Sequence, residues 1–132
     1  MSKSFSGFTI IELVITLIIV GILATVGVGQ FTGTRENTLR REAMSNLQLI
    51  ASGEKYVNLQ ADTYKNYTNV TEINGKLHLS LPVANPNWNY KVVGANATAF
   101  TAKAGRTKDN NATAWCINAT SREAFNDASC TW

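Results

Sequence analysis

The chain has 132 residues, with 12 Lys and Arg against 9 Asp and Glu and a formal charge of +3. That length allows one domain with a modest core, and so mild a basic excess does not point to nucleic acid. Hydrophobic residues make up 45% of the chain, but they crowd into a first quarter almost free of charge, and the remainder is polar and rich in Asn, Thr and Ala.

A short head, MSKSFSG, carries one positive charge at Lys3. Behind it runs FTIIELVITLIIVGILATVGVGQF, residues 8–31, with a single charged residue and no proline. A bilayer needs roughly 20 apolar residues, and the positive-inside rule keeps the head in the cytoplasm. Three readings compete. A secretory signal would have an apolar part of about 7 to 15 residues, shorter than this one and without an internal acid. A plain single-pass anchor explains the length but not Glu12, since a lone acid costs about 2.5 to 3.5 kcal/mol at a membrane centre and less near its edge. The third reading has the chain cut between Gly7 and Phe8. Phe8 then carries a free amine, positive near neutral pH, and Glu12 stands four residues on, one helical turn away. Its carboxylate can neutralise that amine or the amine of a neighbouring copy. Removing either partner would strand a charge in a dry environment.

The stretch GFTIIEL, residues 7–13, with the apolar run behind it, resembles the class III signal of type IV pilins and pseudopilins. The resemblance covers about 25 residues. It implies cleavage after Gly7 by a prepilin peptidase, N-methylation at Phe8 and an assembly salt bridge at Glu12. It also explains why the apolar segment is kept, as a membrane anchor first and a filament core afterwards. Members of the family often carry a proline near Gly29, where this chain has Gly27 and Gly29. Glycine weakens a helix interior by about 1 kcal/mol. Two readings stay open for these glycines: they replace the flexibility a proline gives, or they let helices approach closely.

Charge returns at residue 35. Leu39, Ala43, Leu47, Ile50 and Val57 recur at helical spacing, while Arg35, Arg40, Arg41, Glu42, Glu54 and Lys55 lie mainly off that stripe. With no proline before residue 82, the pattern predicts one long helix from about Phe8 to Gln60, open to a bend near the glycines. At 1.5 Å per residue it would be roughly 80 Å long, and its first half would have no partner within the chain. Bare apolar surface of that extent calls for lipid or other subunits. The basic cluster Arg35, Arg40 and Arg41 reads as a solvated face or as partners of Glu36 and Glu42. Contact with anionic lipid or DNA is the rival reading, and nothing else in the sequence supports nucleic acid.

Residues 63–75 are polar and read as a loop. GKLHLSLP then alternates strictly, which predicts a half-buried strand with Leu77, Leu79 and Leu81 inward and His78 at the surface. NPN marks a turn. WNYKVVG places Trp88, Tyr90 and Val92 on one face, ATAFTAKAG follows, KDNN turns, and ATAWCIN makes a fourth strand. The expected fold is therefore α+β: a long N-terminal helix whose C-terminal half packs on a four-stranded antiparallel sheet, the other face of the sheet open to solvent. If the bulk of the chain lies outside the cytoplasm, Cys116 and Cys130 read as a disulfide worth about 3 kcal/mol; two free buried thiols are the alternative. A C-terminal loop bounded by such a pair also resembles many type IV pilins.

No active site emerges. His78 is the single histidine and alternates with leucines. Asp109 and Asp127 stand in separate segments, a weak basis for calcium. The Asn-x-Thr sequons at Asn66, Asn69, Asn96, Asn111 and Asn118 read as polar surface, and Phe8, Phe31, Tyr56, Tyr64 and Tyr67 as packing residues. No catalytic, cofactor or metal site is expected.

The reading is a type IV pilin-like subunit with a leader (1–7), an apolar transmembrane and filament-core half-helix (8–31), an amphipathic half-helix (32–60) and a region holding loop, sheet and disulfide loop (61–132). The resemblance implies a homopolymer, with an inner-membrane precursor and then a surface filament. Its partners would be prepilin peptidase, an assembly ATPase with a platform protein and, where there is an outer membrane, a secretin. A major pseudopilin of type II secretion is the alternative within the class; those often bind calcium where pilins carry the disulfide. A monomeric membrane-anchored binding module or adhesin is the alternative outside it.

Overall fold

The structure, a computed structural model, describes residues 7–84 and 86–132, and only the backbone of residues 26–30. Six residues of the expected leader, and Asn85 of the expected NPN turn, thus lie outside the described residues. The chain divides into two units, Met1–Thr38 and Leu39–Trp132.

Helix α1 spans Ile10–Ala61, close to the bounds that periodicity predicts. Thr9 starts it: its Oγ1 accepts the Glu12 N–H at 3.3 Å and its carbonyl accepts the Leu13 N–H. Thr-x-x-Glu is the sequence of a capping box. The helix stops at Asp62, which takes a left-handed conformation with φ 53°. From Leu39 onward α1 is amphipathic, with Ala43, Leu47 and Ile50 fully buried and Leu39, Met44 and Val57 partly so. Glu54 departs from expectation: it shares the buried face and has no exposed surface. Its spacing from Leu47, Ile50 and Val57 puts it on the apolar stripe, and the charge hid that.

The alternating leucines do not form a strand. Instead α2 covers Val70–Leu77. Asn69 caps it, its Oδ1 accepting the Glu72 N–H at 2.9 Å, while Glu72 Oε2 accepts from the Thr68 N–H and hydroxyl at 2.8 and 3.0 Å. These bonds satisfy amides that a helix start leaves orphaned. Ile73 and Leu77, four residues apart, face inward. His78 closes the helix in a left-handed conformation, φ 53°, and is exposed. Beyond it Asn74 grips the Leu81 backbone twice, at 2.9 Å each, and Leu81 is buried without a strand partner. Helix α2 lies tight on α1: a Cβ on Gly53 would stand 3.1 Å from Leu77 Cβ.

Among the described residues, the sheet therefore has three strands, not four. β1 (Trp88–Val93), β2 (Thr101–Arg106) and β3 (Ala114–Asn118) form an antiparallel meander in the order β1-β2-β3. Register aligns Tyr90 with Ala104 and Trp115, and Val92 with Ala102 and Ile117. Trp88, Tyr90 and Val92 are buried on one face, as their alternation predicts. Small Ala102 and Ala104 in the central strand leave room for the α1 residues in the same apolar cluster. Polar bonds fix the docking: Trp88 Nε1 donates to the Leu39 carbonyl and Asn46 Nδ2 to the Tyr90 hydroxyl, both at 2.9 Å. The KDNN turn is a 3-10 turn, Thr107–Asp109, followed by left-handed Asn110 and Asn111.

Contrary to expectation, the second face of the sheet is not bare. Residues 130–132 lie over it, and residues 125–126 run along the free edge of β3. Phe125 and Cys116 exchange backbone hydrogen bonds at 2.8 Å, and Asn126 Nδ2 donates to the Ala114 carbonyl at 2.7 Å. Cys116 and Cys130 are joined in a disulfide and, with Ala114 and Phe125, make a second small apolar cluster. Trp132 rests where a Cβ on Gly105 would meet it at 2.5 Å. Lys91 and Lys103 are paired across β1 and β2, a placement that brings like charges together. The C-terminal residues relieve it: the Lys91 ammonium lies over the Trp132 ring at 4.2 Å, and Lys103 donates to the Thr131 carbonyl at 2.5 Å.

Candidate functional site

The candidate site is the first part of α1 with Gly7 and Phe8 before it. Gly7 and Phe8 lead into the helix, and Glu12 lies in its first turn. An acid there is favoured by the positive end of the helix dipole, which gives Glu12 a local reason to stand in the first turn. All described side chains from Phe8 to Thr25 are exposed, among them Phe8 at 80% and Ile10 at 86%. Phe31 is also exposed. The hydroxyls in this stretch serve their own helix: Thr16 donates to the Leu13 carbonyl at 2.8 Å and Thr25 to the Ile22 carbonyl at 2.7 Å. Such back-bonding engages the hydroxyl protons of Thr16 and Thr25. From Ile10 to Thr25 the surface offers apolar side chains, two back-bonded threonines and one carboxylate.

Among the described residues, no helix is both long enough and apolar enough to cross a membrane. Gly27 and Gly29 fall within α1, but their surroundings lie outside the described residues. Of the residues singled out from the sequence, Gly7, Phe8 and Glu12 gather at the start of α1, whereas Cys116 and Cys130 belong to the second unit. Arg40, from the basic cluster, lies over the Trp115 ring at 4.6 Å. Of the aromatics, Tyr64 packs on Phe100, ring centroids 4.7 Å apart, and Tyr67 is buried, whereas Tyr56 is exposed.

Other polar side chains are tied into the scaffold. Asn96 Oδ1 accepts from Thr98 and Ala99, and Asn118 Oδ1 from Thr120 and Ser121. Two of the sequons are therefore turn-building asparagines, which the Asn-x-Thr spacing itself could have announced. Asp109 accepts from the Thr113 hydroxyl and Asp127 from Ser129; the Ser129 bonds hold the Asp127 carboxyl below the usual carboxylate range. Among the described residues, no group of three or more His, Cys, Asp or Glu comes together to hold a metal. Burial pushes the Tyr90 hydroxyl upward and, with the charges of Glu54 and Glu72, takes Tyr67 to about 12; neither is poised for proton transfer near neutrality.

An exposed apolar helix start with a single acid, preceded by Gly-Phe, resembles the N-terminus of type IV pilins. The family model described as the prokaryotic N-terminal methylation motif matches residues 2–28. The chain is also 33% identical over 63 residues to the type IV major pilin protein PilA of Myxococcus xanthus (strain DK1622), a match covering 48% of this chain and 29% of that protein. The chain is thus similar to type IV pilins, and the family-model match lies within its first 28 residues.

Proposed function

We propose that the chain is a structural subunit of a type IV pilus-like surface filament. The observation that carries this is the exposure of every described side chain from Phe8 to Thr25 on a helix holding one acid. Apolar surface of that extent is covered by lipid before assembly and by copies of itself afterwards. In this reading the inner-membrane precursor is cut after Gly7 and methylated at Phe8. Glu12 then pairs with an N-terminal amine as subunits stack. Gly27 and Gly29 soften the helix for packing. Prepilin peptidase, an assembly ATPase with its platform and, where present, a secretin act on the chain, which performs no catalysis itself. The joined cysteines, with Asp109 and Asp127 engaged by neighbouring hydroxyls, favour a pilus subunit over a calcium-holding pseudopilin.

The test is recovery of sheared surface filaments with mass spectrometry of their N-termini. The expected result is this polypeptide beginning at N-methylated Phe8. Glu12→Ala should remove it from filaments while leaving cellular levels intact. Filaments lacking the chain, or containing it with residues 1–7 attached, would sink the proposal.

A further inference from the structure

Between α1 and α2, residues 62–69 run along the free edge of the sheet. Tyr67 and Val92 exchange both backbone hydrogen bonds, at 3.0 and 2.8 Å, covering β1 on the side where no strand pairs with it. The Tyr64 N–H donates to the Asn96 carbonyl at 3.0 Å, and the Ala95 N–H to Asn66 Oδ1 at 2.9 Å. Unpaired edges recruit other strands, and proteins commonly shield them. This segment is such a shield.

Beneath it sits Glu54, with no exposed surface. Its Oε2 accepts the Lys65 N–H at 3.1 Å. Its Oε1 is buried and has no hydrogen-bond partner among the described residues. A buried carboxyl satisfied at one oxygen of two is far costlier as an anion than as a neutral acid. The groups facing it are Lys65 and Tyr67 of the connecting segment, with Glu72 of α2 acting on Tyr67 in turn. Only Lys65 brings a positive charge.

We infer that Glu54 is a proton-controlled pin for this segment: neutral, it holds residues 62–67 closed over the β1 edge, and ionised, it lets them open more often, bringing water to Oε1. The inference stands whether or not the chain polymerises. Its direction follows from the balance at the site. Burial raises the Glu54 carboxyl above its ordinary 4.5, outweighing the Lys65 amide bond and the Lys65 charge. The closed state then binds the proton more tightly than the open one. Closure is strongest below the ordinary value and weakens as pH rises through the raised one, after which it levels off. One proton changes the opening equilibrium by at most about tenfold per pH unit.

Amide hydrogen exchange on the full chain in detergent micelles, corrected for intrinsic rates, reads this directly. Between about pH 4 and pH 8, protection at Lys65, Tyr67 and Val92 should fall, by no more than roughly tenfold per unit. Lys103 and Ala104 of the central strand should not follow, and Glu54→Gln should flatten the profile. A flat wild-type profile, or a slope that survives in Glu54→Gln, overturns the inference. Should Glu54→Gln fail to fold, carbon NMR of the wild-type Glu54 carboxyl decides instead. Titration above the ordinary value supports the pin, and titration at or below it refutes it.

Discussion

Three glutamates show how placement decides what one side chain does. Glu12 stands exposed in the first turn of α1, Glu72 in the first turn of α2, and Glu54 inside the core. Hydrogen bonds from the Thr68 amide and hydroxyl hold the Glu72 carboxyl below the usual range. Its contribution is therefore complete above the ordinary carboxylate pKa and lost as pH falls through the depressed one. Glu54 runs the other way, with closure favoured by acid. Asn69 completes the Glu72 arrangement, and Asn69→Ala should cost about 1 kcal/mol, read as a lower midpoint in urea at unchanged slope. That loss should shrink in acid, where protonated Glu72 no longer supports the same turn. Asn69-x-x-Glu72 was legible in the sequence as a capping signature. The alternation of Leu77, Leu79 and Leu81 concealed it, because Ile73, Leu77 and Leu81 also repeat every four residues and so satisfy a helical period as well.

At the scale of elements, period and length carried most of the fold. The bounds of α1, the buried face of β1 and the hairpin turn at residues 107–111 follow from patterns long enough to be unambiguous. Two features were not legible for physical reasons. A charged residue on an apolar stripe reads as an interruption, although at Glu54 the stripe simply continues. The covering of the second sheet face depends on a Trp132–Gly105 contact between residues distant in sequence, and no local pattern encodes such a meeting. Close approach also separates two glycines. In α2, Gly75 has open space where a Cβ would go, whereas at Gly53 the new atom would press on Leu77. Gly75→Ala should therefore stabilise by up to about 1 kcal/mol through helix propensity. Gly53→Ala should lose that gain to overpacking, which typically costs about 1 to 3 kcal/mol. Thermal melts of the two variants should move in opposite directions.

Over the whole molecule, both apolar clusters draw their members from Leu39–Trp132. Among the described residues, the first unit supplies none of that core. Residues 39–132 produced alone, with the disulfide formed, should remain folded and monomeric, checked by light scattering and near-ultraviolet circular dichroism. A molten spectrum would show that the preceding helix is needed for packing. In the proposed filament, the start of α1 is then free to serve assembly. Thr16 and Thr25 return their protons to their own turn, so from Ile10 to Thr25 the rod makes a polar demand at a single height. Two such rods could slide past each other at nearly level energy, like unmarked rulers, were it not for one notch at Glu12. In the proposed filament, Glu12 would be the charged mark by which neighbouring rods set their relative height.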